Sequence, residues 1–327
     1  RLGNNGSYFS GAINLKITAT DPLDLRGTTS LFSAFQLCGE LTTVPSMEKW
    51  NTSNVTDMAL MFSQASKFNQ NIGMWNTGKV TTMGAMFRYA SAFNQDIGKW
   101  NVSKVNQMGE MFRLASTFNQ DISKWNTSNV ITMAYMFQAT KFNKPIGNWN
   151  TSRVTSMEGM FNENSSFNQD IGSWDTSNVM NMEKMFWGAR SFNQNIGKWK
   201  TGKVAKMAWL FAGASAFNQN IGSWDTSNVG DMWNMFSQAT AFNQNLGKWN
   251  VANVRTMKGM FLYSGLSQAN YDALLLGWGS QNNVQKKVVL DVATQYSLTP
   301  SVFEARTKLT SPWGKGWIIS DGGPAVR

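Results

Sequence analysis

The sequence predicts an α/β solenoid of about nine coils with a cap at each end, and three observations predict it. Tryptophan recurs at Trp50, Trp75, Trp100, Trp125, Trp149, Trp174, Trp199, Trp224 and Trp249, in steps of 25 residues broken by one step of 24. Between tryptophans the same apolar letters return in the same places. At both ends the pattern degrades, as the end coils of a stack must when one face has no neighbour.

Each unit reads W-[ND]-T-S-x-V-x-x-M-x-x-M-F-x-x-A-x-x-F-N-Q-[ND]-I-G-x. Val80, Met83, Met86 and Phe87 share one face of a short helix or tight helical turn, with Ala90 small enough for close packing between coils. Phe93, Gln95 and Ile97 then fit a period of two, with Asn94 and Asp96 facing the other way, which predicts a short strand ended by Gly98. N-T-S-x-V reads as a turn capped by Thr or Ser. The short step falls between Phe137 and Phe142, so a surface turn is expected there. The Asn column (Asn69, Asn94, Asn119, Asn143, Asn168, Asn193, Asn218, Asn243) is expected to form a ladder of stacked amides. No single unit buries enough to stand alone, so each leans on its neighbours.

The expected boundaries are an N-terminal cap with degenerate repeats at 1–49, a solenoid at 50–266 and an α/β C-terminal cap at 267–327. TSLFSAFQLC, residues 29–38, keeps the repeat register and makes Cys38 a small buried residue. Phe9 and Ile13 keep the F-x-x-x-I spacing of one more coil. After Phe261 the sequence predicts a helix at Gln268–Trp278, a strand at Lys287–Val292, a helix at Pro300–Leu309 and a strand at Trp317–Ser320. Thr299 before Pro300 starts the second helix, or Ser301 with Glu304 forms a capping box.

Composition excludes much chemistry. There is no histidine and one cysteine, so Ser-His-Asp and Cys-His catalysis and an internal disulfide framework are ruled out. Carboxylates are few, and Asp96, Asp121 and Asp170 alternate with Asn71, Asn195, Asn220 and Asn245 in one outward row. No enzyme, cofactor or metal site is expected; the row lacks an EF-hand or a glycine-aspartate nonapeptide. Thr52, Thr77, Thr127 and Thr151 form a column that Val102 and Val251 interrupt, which argues against an ice-binding face. Sequons such as Asn51 and Asn126 are by-products of the N-T-S repeat. No apolar run reaches membrane-spanning length. No signal peptide is visible at Arg1, and an upstream segment is left open.

The letters that change are where recognition is expected. Tyr135, Trp209 and Trp233 stand at turn positions that are small or polar elsewhere, and Tyr89, Trp187 and Tyr263 follow the M-F pair. Trp187, Trp209 and Trp233 fall in successive units and make a candidate exposed patch. The alternative is that these rings pad gaps between turns. The net charge of +10 and a basic column at Lys79, Lys104, Arg153 and Lys203, beside a second at Lys49, Lys99, Lys124, Lys198 and Lys248, suggest an edge for an acidic glycan or protein. The alternative there is a solvated edge. No RNP, KH or helix-turn-helix context supports nucleic acid.

WNTSNVTDMALM at 50–61, WDTSNVMNMEKMF at 174–186, YDALLLGW at 271–278 and WIISDGG at 317–323 resemble the BspA-like leucine-rich-repeat surface proteins, in their 25-residue repeat branch. The resemblance covers roughly residues 28–323. It implies a leucine-rich-repeat-like right-handed solenoid, a secreted or cell-surface location and a role in adhesion or protein binding. It carries no shared catalytic residue. The expected function is a non-enzymatic recognition module for a protein or glycan; the alternative is a structural subunit packing into a sheath, shell or larger particle.

Overall fold

The computed structural model describes residues 2–325, which fall into two compact units divided between Gln169 and Asp170. Regular structure is concentrated late in the chain. Before residue 257 the described residues hold one 3-10 turn, Met47–Lys49, and a set of isolated parallel bridges. In the first unit these bridges run Ser30, Asp57, Thr82, Gln107, Thr132, Ser156, each residue pairing with the next coil. In the second they run Asn181, Lys206, Asp231, Thr256. Each unit is therefore a stack of coils held side by side. The chain is a tandem-repeat protein.

In the coils before residue 257 the M-x-x-M-F-x-x-A segment is neither helix nor strand. It is a spiral of consecutive β-turns. Met61, Ser63 and Ala65 N–H groups close turns onto the Met58, Leu60 and Phe62 carbonyls. The alternate amides of Met58, Leu60, Phe62 and Gln64 donate instead to Thr82, Gly84, Met86 and Arg88 of the next coil. A helix would spend every amide inside its own coil. The turn spiral spends half of them between coils, which is what holds one coil to the next.

Side chains stack in the same register. Phe62, Phe87, Phe112 and Phe137 form a column with ring centroids 5.7 to 5.8 Å apart. Trp50, Trp75 and Trp100 form a second at 6.0 and 6.4 Å. In the other unit Phe186, Phe211, Phe236 and Phe261 repeat the arrangement. All the repeat methionines and phenylalanines are buried. Trp100 Nε1 donates to the Ile72 carbonyl at 3.1 Å and Trp125 Nε1 to that of Ile97, whereas Trp50 Nε1, in the first of these coils, is buried with no partner.

The strand expected at F-N-Q-x-I is absent, and the Asn column explains why. Asn69 Oδ1 accepts from the Asn94 backbone N–H at 2.9 Å and from Gln95 Nε2 at 3.0 Å, and Asn94 does the same for Asn119 and Gln120. A side-chain carbonyl takes the place of the backbone carbonyl that strand pairing would use. The amides thus stack as expected, but each binds the next coil's backbone and glutamine rather than the next asparagine's side chain. At the short step, Thr140 is buried, and its hydroxyl donates to the Phe137 carbonyl and accepts from Phe142 N–H.

The threonine column faces inward. Thr52, Thr77 and Thr127 are buried, each donating to a carbonyl of the next coil. Val102 and Val251 fill the same interior position. The outward Asp/Asn row makes local turns: the Oδ1 of Asn71, Asp96, Asp121 and Asp170 accepts from the N–H two residues on. The Ser123 backbone N–H is the main cause holding the Asp121 carboxyl below its usual range.

After the last repeat the chain has the expected order of helix, strand, helix, strand. Strand β1 (Met257–Phe261) belongs to the last repeat; helix α1 (Gln268–Gly279), strand β2 (Val289–Val292), helix α2 (Pro300–Thr310) and strand β3 (Ile318–Ser320) follow. The three strands form a parallel sheet in the order β1-β2-β3. Ser267 caps α1 by accepting from Asn270 N–H. Helix α2 starts at Pro300 with Thr299 as N-cap, so the capping-box alternative is not used. The cap borrows repeat chemistry. Asn270 Nδ2 reaches Asn243 Oδ1 at 2.7 Å, and Trp278 Nε1 donates to the Leu246 carbonyl at 3.1 Å.

At the other end one expectation fails. Phe9 stacks on Phe35 at 5.3 Å, in the column of the M-F phenylalanines, while Ile13 is exposed. Phe9 and Ile13 are thus not an F-x-x-x-I pair. Ser7, Phe9 and Gly11 amides donate to Phe32, Ala34 and Gln36, capping the turn spiral of residues 31–38. Cys38 is buried as expected, and burial raises its thiol pKa.

Candidate recognition face

Number the eight residues M-x-x-M-F-x-x-A of each coil one to eight. Positions one, four, five and eight point inward; positions two, three, six and seven carry the variable letters. The turn spiral forces positive φ at positions three and seven, as type II turns require at their third residue. Gly159 and Gly213 meet that demand without strain, but most coils place a full side chain there. Leu60 (φ 59), Tyr89 (60), Leu114 (60), Tyr135 (56), Trp209 (60) and Tyr263 (58) all lie in the left-handed region.

Within the first unit the face is charged. Glu110 accepts from Arg88 at 3.3 Å and from Arg113 at 3.1 Å. The Arg113 guanidinium lies 5.3 Å from the Tyr135 ring centre, and the Tyr135 hydroxyl donates to Glu158. Three successive members of position six, Arg113 Nε, Gln138 Oε1 and Asn162 Oδ1, are buried polar atoms with no hydrogen-bond partner. Tyr89 is exposed at position seven and Tyr135 half-buried at position three.

Within the second unit the face is aromatic. Trp187 and Trp209 have ring centres 5.5 Å apart at 51°, and Trp209 and Trp233 5.3 Å apart at 64°. The three rings sequence reading grouped are one contiguous cluster, half-buried at Trp187 and Trp209 and exposed at Trp233. Lys184 and Glu183 pair beside them at 2.9 Å.

The basic column has a local partner at three of its four members. Lys79 Nζ reaches Asn54 at 2.8 Å, Arg153 reaches Asn129 at 2.6 Å and Lys203 reaches Asn178 at 2.7 Å. Lys104 is exposed. These cations bridge each coil to the one before while keeping their charge at the surface. The Arg88–Glu110–Arg113–Tyr135–Glu158 chain went unread in the sequence. Its signal was there: opposite charges at positions three and six of neighbouring units.

No helix among the described residues is long and apolar enough to cross a membrane. Residues 29–141, 122–209 and 193–297 each match the family model described as Mycoplasma protein of unknown function, DUF285. No curated protein matches the chain.

Proposed function

We propose a recognition role for this chain, which belongs to the DUF285 family: a non-enzymatic, BspA-like module at the cell surface or outside the cell, binding a protein or acidic glycan. In this reading the stacked coils form a right-handed, leucine-rich-repeat-like solenoid and the variable turn face meets the partner. One observation carries the reading. A bulky side chain at positive φ costs about 1 kcal/mol relative to glycine. Tyr89, Tyr135 and Trp209 occupy such positions where Gly159, Gly188 and Gly213 show that glycine fits. The cost is accepted where the ring is useful, and Trp and Tyr are the residues that anchor binding surfaces. The charged stretch from Arg88 to Glu158 adds orientation and on-rate rather than raw affinity.

The Trp209→Ala, Trp233→Ala double variant tests the proposal. Capture of partner from native material is expected to fall below detection while melting stays within a few degrees of wild type. Undiminished capture counts against the face, and a large fall in melting temperature would make the rings packing.

A further inference from the structure

The tryptophans of the second unit differ in what their polar edges do. In the core, Trp199, Trp224 and Trp249 give their indole N–H groups to the Ile171, Ile196 and Ile221 carbonyls at 3.0 to 3.1 Å. On the turn face, Trp187 stands at position six, Trp209 at position three and Trp233 at position two of three successive coils, so their rings run diagonally in tilted contact. With its amide oriented to satisfy both partners, Asn234 takes the Trp233 N–H at 2.9 Å and donates to the Gly259 carbonyl at 3.2 Å. Trp187 and Trp209 have no such partner among the described residues, and their Nε1 atoms are not sealed from solvent as that of Trp50 is. Two open donors therefore stand within one aromatic patch.

The acceptors beside the patch are already engaged. Glu183 pairs with Lys184 at 2.9 Å, and Asp231 Oδ1 accepts from the Trp233 backbone N–H at 2.8 Å. A sugar brings hydroxyl donors as well as acceptors, and those donors find no free acceptor here. A proline-rich segment brings carbonyls, and its prolines bring no N–H. Its polyproline II backbone is extended before it binds, so little freedom is lost on docking against aromatic rings. The period fits as well. Polyproline II repeats every three residues over about 9 Å, and two coil steps at strand-pairing spacing span roughly 9.5 Å. A proline at every third place therefore falls once in every two coils, the interval from Trp187 to Trp233. Beside the rings the face is low: position seven is Gly188 and Gly213, and position six of the second coil is Ala212.

We infer that the Trp187, Trp209 and Trp233 patch binds a proline-rich protein segment in the polyproline II conformation, lying along the stack. The Trp187 and Trp209 indole N–H groups donate to its backbone carbonyls, and its proline rings lie on the aromatic faces. The inference rests on the recognition reading of the turn face and gives the partner its chemistry.

Capped decaproline is the probe, titrated into the whole chain, with a capped Gly-Ser decapeptide and cellohexaose as neutral comparisons. Decaproline is expected to bind about tenfold or more tightly than either. It is also expected to shift two indole N–H resonances, identified as those of Trp187 and Trp209 by their absence in Trp187→Phe and Trp209→Phe. Trp209→Phe, which keeps a ring and removes the donor, is expected to weaken decaproline about fivefold. Equal affinity for decaproline and the Gly-Ser peptide, tighter binding of cellohexaose, unmoved Trp187 and Trp209 resonances, or no decaproline binding overturns the inference. The wild-type affinities decide this even if a variant fails to fold. Those results leave the face reading intact so long as partner capture still needs Trp209 and Trp233. Undiminished capture by the Trp209→Ala, Trp233→Ala variant is the failure of the face reading itself and takes the inference with it.

Discussion

Phe112→Ala is expected to lower the unfolding free energy of the first unit by about 3–5 kcal/mol, measured by denaturant titration. Phe112 is wholly buried and touches rings on every side: Phe118 at 3.8 Å in its own coil, Phe87 and Phe137 at 5.7 and 5.8 Å above and below, and Trp125 at 6.4 Å. Truncation removes the transfer energy of the ring and leaves a hole that the stacked neighbours cannot close without giving up their register. The hole also sits at two coil-to-coil interfaces, and a repeat stack is only as stable as its nearest-neighbour contacts. Lys104→Ala, on the exposed edge, is the control and is expected to change stability by no more than about 0.5 kcal/mol. A loss under about 1 kcal/mol for Phe112→Ala would mean that the aromatic columns do not hold the coils.

Arg306→Ala is expected to cost the second unit about 3–5 kcal/mol by the same measurement. Asp321, just after β3, has a side chain only 4% exposed, and Arg306 of α2 holds it through two bonds at 2.9 and 3.2 Å. Tyr271 of α1 donates to the same carboxylate at 2.7 Å, and the Gly323 N–H adds a fourth bond. Burial first, and then the Asp321 carboxylate, hold the Tyr271 phenol far above the usual tyrosine range, so it stays a donor. Removing the guanidinium strands a buried negative charge with two neutral donors. Arg306→Ala with Asp321→Asn removes the charge as well and is expected to recover part of the loss. Equal stability of the single and double variants would contradict that account.

The two predictions separate what the sequence states locally from what only assembly decides. The core columns were legible because period and burial coincide: Met58, Met61, Phe62 and Ala65 are apolar in every reading of the segment, and all are buried. The local backbone was not legible from the same letters. A spacing of three and four fits a helix and also a spiral of β-turns, and the deciding factor is the destination of alternate amides, which lies 25 residues away. The Asn column misled in the opposite direction. Its regularity was read as side chain on side chain, whereas Asn69 Oδ1 binds the backbone of Asn94, doing the work of a strand carbonyl. Phe9 was placed by its spacing to Ile13, and spacing cannot say which of two phenylalanine columns a capping residue joins. The cap helices were placed well because Ser267, Thr299 and Pro300 are local signals. Trp187, Trp209 and Trp233 were grouped from sequence because stacking turns a repeat period into proximity. The unpaired donor of Trp50 was invisible, since its letter is the same as in every other coil.

The register of the stack is tested most directly by engineered cysteine pairs. Ser66, Ser91 and Ser116 hold the same position in three successive coils, and the Ser91 hydroxyl donates to the Ser66 carbonyl at 3.2 Å. Ser66→Cys with Ser91→Cys is therefore expected to close an intramolecular disulfide on mild oxidation. Ser66→Cys with Ser116→Cys, two coils or about 10 Å apart, is expected to stay reduced. Cross-linking of the second pair as readily as the first, or failure of the first to close, would contradict the stacking of each residue over its counterpart one coil away.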